Sequence, residues 1–570
     1  MASPEKISDP TAQTVERIGS IDKSKDNERL TIYLVSQVVA VKEVRGSEAF
    51  NEALIREDVP MLHPRTLQLF ACLLIGFFCQ TMNGYDTMLF GGLLNNKEYF
   101  LKHFHGENKG IWAGLITSMY QIGGVSALPF VGPCIDQWGR RVGMFIGSIL
   151  IIVGTVVQGL TSANASEGQM MGGRFVLGFG VTIAAAAGPI WIVETAHPKY
   201  RGIITGLCNT TWLAGSILSS GATRGGLNIK GNNSWLIPIW LQMVFPGFIA
   251  IFAFFLPESP RWVYASGKRQ KAHDILTKWH GYGNPDSAWV RLQLNEYEEY
   301  LELDGSDKRW WDYRALFNKK SSLYRTAVAC WFSAFTQWCG NGPLSYFMSA
   351  VLDTAGVNTS IGKANVQLGY SVEQFCFAVF GAHFVERFGR RKMMLAGFFG
   401  VSVIWVCMTA SAGTLANSLV SGSVDDSDAV FSNKTAGNAV LAFIFIFGAW
   451  YSFNITPLQA LYPVEVFSFE IRAKGMAFQS FFVNAAGLIN QFAWPVAIKE
   501  IQWKTYIIFV VWTFVQGVLA YFFFPETKKR TLEELDKIFE AKNPVKYSTQ
   551  SRTLAITEDN TVVAVDIDKV

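Results

Sequence analysis

Two single charges lie inside long apolar runs of this 570-residue chain, where charged side chains are rare. Asp86 lies late in a run near 67–90, and Arg174 lies near the start of another near 171–190. An unpaired charge at the centre of a bilayer costs at least about 2.5–3.5 kcal/mol on insertion scales. The sequence therefore predicts that each of these two charges has a partner and that both positions are functional.

A cassette of charged residues occurs twice, in the same order, and each copy lies between apolar runs. The first copy contains Asp136, Arg140, Arg141, Glu194, Arg201, Glu258 and Arg261. The second contains Glu386, Arg390, Arg391, Glu465, Arg472 and Glu526. In each copy a glycine permits a tight turn, and the arginines after it offer forked donors to carboxylates. We interpret the cassettes as an intracellular salt-bridge network that closes one face of a cavity; the alternative is that these charges only determine topology.

The composition is that of a membrane protein. The chain is 50% hydrophobic and 16% charged, whereas a soluble globular protein carries about 25% charged residues. Its formal net charge is +4, and no basic stripe indicates a nucleic-acid partner. The sequence has no metal-ligand spacing, no phosphate-binding loop and no nucleophile–base pair, so we expect no metal, no cofactor and no enzymatic activity. The eight cysteines lie in or beside apolar runs and are predicted to be buried thiols without disulfides.

Twelve apolar runs approach the roughly twenty residues that cross a bilayer as a helix. Six precede a central polar stretch, near 67–90, 112–131, 143–160, 171–190, 203–222 and 236–256. Six follow it, near 326–348, 366–386, 393–411, 437–461, 473–497 and 503–524. The predicted fold is an all-α membrane protein of twelve transmembrane helices in two similar six-helix halves.

The predicted domains follow from these runs. They are a cytoplasmic tail over 1–66, a six-helix bundle over 67–256, an intracellular helical linker over 257–325, a second bundle over 326–524 and a cytoplasmic tail over 525–570. Lysines and arginines are concentrated in the even-to-odd connections, which the positive-inside rule places in the cytoplasm. Four Asn-X-Ser/Thr sequons in connections on the opposite side are candidate glycosylation sites: Asn164, Asn232, Asn358 and Asn433.

Five segments, in order, resemble the sugar porter family of the major facilitator superfamily over about residues 65–540. They are Gly-Tyr-Asp-Thr at 84–87, Gly-Pro-Cys-Ile-Asp-Gln-Trp-Gly-Arg-Arg at 132–141, Gly-Arg-Phe-Val-Leu-Gly at 173–178, Pro-Glu-Ser-Pro-Arg-Trp at 257–262 and Pro-Glu-Thr-Lys-Lys-Arg-Thr-Leu-Glu-Glu at 525–534. Two further segments, at 337–342 and 456–465, look closest to the fungal lactose and cellodextrin permeases. The resemblance implies uptake of a disaccharide or hexose across a plasma membrane, by a lipid-embedded protein that works as a monomer and rocks one half against the other.

The resemblance also implies roles for the two membrane charges. In the family, the residues at these positions pair and carry proton coupling, which makes Asp86 the protonatable carboxylate and Arg174 its counter-charge. Facilitators of the family tend to lack the carboxylate, so its presence favours proton symport. The alternative is a static pair that only holds two helices together.

Gln337 is the first candidate for sugar binding, because its amide can donate to and accept from sugar hydroxyls; an interhelical hydrogen bond is the alternative. Asn341 follows one helical turn later, on the same predicted face. Thr336 and Ala460 stand where hexose porters typically have an amide and a stacking tryptophan, and these departures predict a roomier pocket. The side chains that could furnish it are Asn209, Trp212, Trp338, Gln459, Asn484, Asn490 and Gln491.

Three other functions remain open from the sequence. The first is uncoupled facilitated diffusion of a sugar, against which the carboxylate at Asp86 argues. The second is transport of a non-sugar metabolite such as a polyol or a quinate-like acid, which a roomier pocket would also accept. The third is a sugar sensor that keeps the transporter fold, against which the short predicted C-terminal tail argues.

Overall fold

The computed structural model describes residues 57, 60–304, 313–357, 359–421, 430–468, 471–528, 532–549, 553–556 and 562–565. The chain divides into two compact units, and the larger, Glu52–Val545, contains all of the predicted membrane runs. Its two halves therefore belong to one unit, joined by the linker between them.

The first half consists of long helices separated by short connections. They are α1 (Pro64–Leu93), α2 (Gly110–Trp138), α3 (Arg140–Gly159), α4 (Glu167–Thr195), α5 (Pro198–Gly226), α6 (Asn233–Trp240) and α7 (Val244–Phe252). Local signals fix several of the starts. α1 and α5 begin at prolines, whose missing N–H is not needed at the first helical position, and the Ser166 hydroxyl accepts from the Gln169 N–H at the start of α4.

The linker and the second half also consist mainly of helices in the part of the chain that the structure describes. The linker contains α8 (Pro260–Ala265), α9 (Arg269–Trp279), α10 (Ala288–Asp304) and α11 (Ala315–Asn318). The second half contains α12 (Lys320–Gln337), α13 (Asn341–Tyr346), α14 (Met348–Thr354), α15 (Ser360–Phe388), α16 (Arg390–Ala416), α17 (Lys434–Asn454), α18 (Thr456–Val466), α19 (Arg472–Ile501) and α20 (Thr505–Phe523). Two shorter helices follow, α21 (Leu532–Glu540) and α22 (Pro544–Thr549).

Eight helical segments of the described chain are long and apolar enough to cross a membrane. The last of them, Lys474–Phe523, is 50 residues long and covers both α19 and α20. At a rise of 1.5 Å per residue it would measure about 75 Å, more than twice the thickness of the hydrocarbon core. A turn at Gln502–Lys504 divides it into two helices.

Helices α5, α12 and α15 fall outside this set although each overlaps a predicted run. They are more polar, and α5 and α15 pack against each other across the two halves, where the Ser371 hydroxyl lies 3.0 Å from the Ser220 hydroxyl. Polar residues that face protein lower the hydropathy of a helix without exposing it to lipid. Twelve crossings therefore stay a prediction.

Three predicted continuous spans are divided in the structure. The run 236–256 is divided into α6 and α7 by a short 3-10 helix at Leu241–Met243. The run 326–348 is divided into α12, α13 and α14, with Gly340 between the first two at φ +100°. A Cβ at Gly340 would collide with the Trp405 indole, so both conformation and space require glycine there. The run 437–461 is likewise divided, into α17 and α18, next to Pro457.

Close helix contacts in the first half depend on glycine. A Cβ at Gly84 of α1 would collide with the main-chain oxygen of Trp212 in α5, and one at Gly178 of α4 would collide with that of Tyr120 in α2. Small residues let membrane helices approach at backbone distance, where van der Waals packing replaces the missing hydrophobic drive. This packing positions Asp86, two residues after Gly84, at the centre of the half.

The fold prediction needs one small correction, because the described residues include four short strands. β1 (Leu419–Ser421) pairs antiparallel with β2 (Val430–Phe431) in the connection between α16 and α17. In the smaller unit, β3 (Thr553–Ile556) pairs antiparallel with β4 (Val562–Val565), with Thr553 opposite Val565. Each of these segments contains a β-branched residue, a type that favours strands, and all four lie outside the helical framework.

Candidate functional site

Asp86 and Arg174 lie together within the first half. Asp86 is 0% exposed, and neither oxygen of its carboxyl has a hydrogen-bond partner in the described part of the chain. Arg174 is 2% exposed and donates from Nη1 to the main-chain oxygen of Asp86 and from Nη2 to that of Thr117, both at 3.4 Å. The structure thus brings the two predicted charges together, but the arginine bonds to the backbone of Asp86 and leaves its carboxyl without a hydrogen bond.

Aromatic rings hold the Arg174 guanidinium in place. Its Cζ lies 3.9 Å from the centroid of the Phe90 ring and 5.2 Å from that of Tyr120. Such cation–π contacts contribute roughly 0.5–2 kcal/mol each, the upper end applying where water is excluded. The Tyr120 hydroxyl in turn donates to Asn83 Oδ1 at 2.9 Å, which fixes the ring. The backbone and aromatic groups of the first half therefore hold the arginine in place, although it makes no hydrogen bond to the Asp86 carboxyl.

Gln242 is a third polar residue at this position, and the sequence reasoning missed it. It lies in the turn Leu241–Met243 between α6 and α7, is buried, and both its amide oxygen and its amide nitrogen lack hydrogen-bond partners among the described residues. The Gln242 amide lies close to the Asp86 carboxyl, but no hydrogen bond of 3.5 Å or less joins them. An amide in the middle of the predicted run 236–256 was the available sequence signal.

Gln337 and Asn341 flank the break in the first predicted membrane run of the second half. Gln337 is the last residue of α12 and is half-buried, and its amide makes no hydrogen bond within the described chain. Asn341 is the first residue of α13, and its Oδ1 is buried without a partner in the described structure. The expectation that both lie on one face of a continuous helix is wrong, because Gly340 separates two helices. The break nevertheless leaves both amides with unused hydrogen-bonding capacity.

Two polar residues of α19 complete this region. Asn490 Nδ2 donates to the main-chain oxygen of Gln337 at 2.7 Å, and its Oδ1 accepts from the Trp494 indole at 2.6 Å. Asn490 therefore holds the end of α12 in position. The neighbouring Gln491 is buried, and its Oε1 has no partner among the residues described.

Three other predicted pocket residues use their polar groups inside the second half. The Thr336 hydroxyl donates to the main-chain oxygen of Ser333 at 2.8 Å and is buried. The Trp338 indole donates to the main-chain oxygen of Ala486 at 3.2 Å. Gln459 Nε2 donates to the Tyr451 hydroxyl at 2.8 Å. These bonds give the three side chains structural partners, so they are weaker binding candidates than Gln337 and Asn341.

The remaining pocket candidates lie near the boundary between the halves. Asn484 of α19 is half-buried, donates to the main-chain oxygen of Ser480 at 2.9 Å, and places its Oδ1 beside Gly124 of the first half. Trp212 of α5 is half-buried. Asn209 lies in the same helix, but its side chain is outside the described structure.

The first cassette forms a network inside the first half. Arg140 binds Glu194 with two bonds, Nε to Oε2 at 2.9 Å and Nη2 to Oε1 at 3.1 Å, and also pairs with Asp136 at 3.3 Å. Arg141 donates to Glu258 Oε2 at 3.2 Å, and the Ser259 hydroxyl donates to Glu194 at 2.5 Å. Two-point Arg–carboxylate pairs are the geometrically specific kind, so the turn at Gly139 is tied to the start of the linker.

The second cassette repeats this arrangement. Arg390 donates to Glu465, with Nη2 to Oε1 at 2.7 Å, and the Thr527 hydroxyl donates to Glu465 at 2.5 Å in the place of Ser259. Glu526 accepts from the main-chain N–H groups of Arg390 at 2.9 Å and Arg391 at 3.1 Å. Equivalent residues of the two copies therefore make equivalent contacts, each within its own half.

One predicted member of the network, Arg201, is not brought into it by a hydrogen bond that the structure describes. Arg201 Nε is buried without a hydrogen-bond partner in the described chain, while Glu194 binds Arg140 instead. Arg261 lies in α8, next to Ser259 and Glu258. The side chains of Glu386 and Arg472 lie outside the described residues.

The sequons lie at the helix ends opposite the cassettes. Asn164 is exposed and donates to Gln169 Oε1 at 2.7 Å, and Asn232 is exposed at the start of α6. Asn433 is exposed and caps α17, its Oδ1 accepting from the Ala436 N–H at 3.1 Å. Asn358 lies outside the described residues. Three of the four candidate acceptors thus share one side of the molecule.

A helical chain with two cassette-bearing halves and a polar cluster in each is the architecture of a membrane transporter. The family model described as sugar (and other) transporter matches residues 72–539. The chain belongs to this family, the sugar porters of the major facilitator superfamily, and is a multi-pass membrane protein. Its relatives are transporters and not enzymes, as the sequence predicted.

Individual relatives cover most of the chain. A high-affinity glucose transporter of Kluyveromyces lactis is 29% identical over 487 residues, covering 84% of this chain and 86% of that protein. A quinate permease of Neurospora terricola is 26% identical over 511 residues, covering 86% and 92%. The inward-open structure of the xylose transporter XylE from E. coli superposes with a TM-score of 0.65 at 18% identity, over 83% of this chain and all of that one. That likeness establishes the fold.

Proposed function

We propose that the chain is a proton-coupled sugar symporter of the plasma membrane that works by rocker-switch alternating access. The observation that carries the proposal is the buried Asp86 carboxyl, which lies beside Arg174 without a hydrogen-bond partner in the described chain. A buried ionised carboxylate without hydrogen bonds is costly by several kcal/mol. We therefore assign a proton to Asp86 in this conformation.

Release of that proton requires a second conformation. When the halves rock, α1 and α4 shift relative to one another or water enters beside them, and the Asp86 carboxyl gains either solvent or the Arg174 guanidinium as a partner. Both stabilise the ionised form. The Phe90 and Tyr120 rings keep the guanidinium close enough to make that exchange a small movement.

The proposed substrate is a disaccharide such as lactose or cellobiose, or a hexose. The Gln337 amide, Asn341 Oδ1 and Gln491 Oε1 offer donors and acceptors that the described protein leaves unused, and a sugar carries hydroxyls that satisfy both kinds of group. A glucose transporter among the relatives supports a sugar. The missing amide at Thr336 and the missing tryptophan at Ala460 support a substrate larger than a hexose.

A non-sugar solute is the second candidate. The quinate permease covers 86% of this chain at nearly the same identity as the glucose transporter. A cyclic acid rich in hydroxyls would use the same amide groups. Competition between labelled sugar and quinate for uptake separates the two candidates.

The proposal includes topology. Twelve crossings place both termini and both cassettes in the cytoplasm and the sequons outside, with the protein acting as a monomer in lipid. The cassette networks then stabilise the cytoplasmic ends of each half and form contacts between halves when the cytoplasmic side closes.

The test is uptake of labelled lactose, cellobiose and glucose in a transporter-deficient yeast, with external pH recorded and surface protein quantified. Wild type is expected to raise the external pH during uptake, and Asp86→Asn to abolish that rise together with accumulation against a gradient. Asp286→Asn, which changes a carboxylate that is 83% exposed on the linker, is the matched control. Sugar uptake that survives Asp86→Asn with its pH response unchanged would refute the coupling role.

A further inference from the structure

A cluster of buried charged and polar residues joins the two halves at the end of the bundle opposite the cassettes, the distal face. Its centre is Asp353 of α14, whose Oδ1 accepts from Lys363 Nζ at 2.5 Å and whose Oδ2 accepts from Asn108 Nδ2 at 2.8 Å. Asn108 also donates to the Ser349 hydroxyl at 3.2 Å, and Lys97 Nζ lies 3.7 Å from Asp353 Oδ1. We call these five residues the distal latch.

Four of the five latch residues are buried, and only the Lys97 side chain, which is 34% exposed, reaches solvent. Lys363 and Ser349 are 0% exposed, Asp353 is 2% exposed and Asn108 is 8% exposed. Removing two charges from water costs several kcal/mol per ion, which only close pairing and further hydrogen bonds offset. The Asp353 carboxylate has both kinds of compensation. Lys363 contacts it, Lys97 lies nearby, and the Asn108 amide donates a hydrogen bond to it.

The members of the latch come from both halves. Asn108 and Lys97 belong to the connection between α1 and α2, in the first half, whereas Asp353, Lys363 and Ser349 belong to α14 and α15 in the second. The first cassette begins at the other end of α2, about 43 Å away along a helix of 29 residues. The Ser349 hydroxyl adds a bond to the main-chain oxygen of Leu94 at 3.3 Å.

The contacts of the two faces differ. On the distal face, the bonds from Asn108 and Lys97 to Asp353 cross from one half to the other. On the cassette side, the ion pair of Arg140 with Glu194 lies within the first half and that of Arg390 with Glu465 lies within the second. The conformation is thus one in which the distal face is held closed by polar contacts between the halves.

We propose that the distal latch is the gate of the distal face and that Asp353 is its hub. The inference rests on the proposed alternating-access transport. When the distal face opens, Asn108 and Lys97 leave with the first half while Lys363 stays with Asp353, because both belong to the second half. The carboxylate therefore never loses its counter-charge, and opening exchanges only the inter-half bonds for water. A buried ion pair that would otherwise lock the fold thereby becomes a reversible gate.

The position of Tyr346 agrees with such a gate. This residue ends α13, just before the latch, and its hydroxyl interacts with Gln121 and Arg174 of the first half. A Cβ at Gly91 of α1 would lie 3.3 Å from the Tyr346 main-chain oxygen. The segment that carries Asp353 is thus packed against the half that it must leave, next to the proposed proton site.

Hydrogen–deuterium exchange of the full chain in lipid nanodiscs, without substrate, tests the gate. Asn108→Ala removes only bonds between the halves. It is expected to raise hydrogen exchange several-fold in the distal segments 94–109 and 344–357. As the cassette side closes, exchange is expected to fall in the cassette segments 137–143 and 387–393. Asn108→Asp places a second carboxylate beside Asp353, and we expect it to change exchange in the same directions by a larger factor. Lys102→Ala, an exposed lysine in the same connection, is the matched control.

The opposite changes at the two faces separate a gate from a local structural contact. Faster exchange confined to the distal segments, with the cassette segments unchanged, would overturn the proposal, as would no change in either variant. The measurement needs no sugar and no proton gradient. If exchange changes in opposite directions at the two faces of a protein that transports no sugar, the gate is supported and the proposed substrate is rejected. If the protein transports sugar without those opposite changes, the proposed function is supported and the gate is rejected.

Discussion

Several of the candidate residues carry buried polar atoms that have no hydrogen-bond partner in the described chain. Inside a membrane protein a polar atom without a partner is expensive, because neither water nor lipid replaces the missing bond. Such atoms occur at Asp86, Gln242, Asn341 and Gln491, and also at residues outside the two candidate clusters, such as Ser148 and Tyr370. The half-buried Gln337 amide makes no hydrogen bond in the described chain. Thr336 and Trp338 have the same chemistry in the sequence but have structural partners. The presence of a structural hydrogen-bond partner, and not the residue type, therefore distinguishes Thr336 and Trp338 from the residues with unused polar atoms.

Replacement of Gln337 by alanine is expected to raise the KM for the transported sugar about tenfold or more, because a hydrogen bond to a substrate hydroxyl contributes roughly 1–2 kcal/mol and the amide can make two. Initial uptake rates over a range of sugar concentrations measure this. Thr336→Val removes a neighbouring hydroxyl that already bonds within its own helix and should leave KM within about twofold. Equal losses in both variants would mean that Gln337 supports the fold instead of binding sugar.

At the scale of elements, the linker is attached to the first half through two buried histidines. His280 Nε2 donates to the main-chain oxygen of Thr195 at 3.0 Å, because a carbonyl oxygen can only accept. With its proton on Nε2, His280 accepts a hydrogen bond at Nδ1 from the Gln293 amide at 2.8 Å. The His197 ring packs edge-on against it at 5.2 Å. Burial lowers the pKa of His280 to about 4 and that of His197 to about 2, with the second histidine adding to the latter shift. Both are therefore neutral near pH 7.

This docking is expected to weaken in acid. The pKa of His280 is 6.5 in the unfolded chain and about 4 in the folded protein. Between pH 6.5 and pH 4 the unfolded state therefore binds more protons than the folded state, so the free energy of unfolding falls as the pH drops through this range. For His280 alone the loss is about 2 kcal/mol at pH 5. His280→Gln, which does not titrate, should reduce the fall in Tm between pH 7.5 and pH 5, measured on purified protein. His273→Gln on α9 should leave the fall as in wild type, and identical falls in all three proteins would contradict the assignment.

The interrupted helices show where element prediction fails. The run 326–348 is mainly apolar on both sides of Gly340, so its hydropathy alone predicts one continuous span. The break at Gly340 depends on the Trp405 indole, which packs where a side chain would be and lies about 65 residues away in the chain. No local signal carries that information, although the glycine and the following Asn-Gly-Pro hint at a turn.

At the scale of the whole molecule, the two cassettes act as internal equivalents. Arg140 with Glu194 and Ser259 corresponds to Arg390 with Glu465 and Thr527, contact for contact. The distal latch has no such repeat, because its residues come from connections that differ between the halves. The contacts on the cassette side therefore repeat between the two halves, whereas the contacts of the distal latch do not repeat.

The side on which the sequons lie gives a direct test of orientation. Asn433→Asp removes the sequon but keeps a cap on α17, because aspartate accepts the Ala436 N–H as asparagine does. If the distal face is extracellular and the site is occupied, the variant migrates faster on a gel by one glycan. Thr435→Ala removes the same sequon with Asn433 intact and should match it. Protection of the distal face from external protease in intact cells would contradict the proposed orientation.

The sequence alone determined the class of fold, the family and the charged cassettes, because apolar length and repeated motifs are local properties of the chain. It also indicated Asp86, Arg174 and Gln337, since a polar residue inside an apolar run is conspicuous wherever its neighbours lie. Only the tertiary structure decided which polar groups are already paired, that Gln242 accompanies Asp86, and that Asp353 joins the two halves. Those facts depend on contacts between residues that are distant in sequence, and hydropathy carries no information about such contacts.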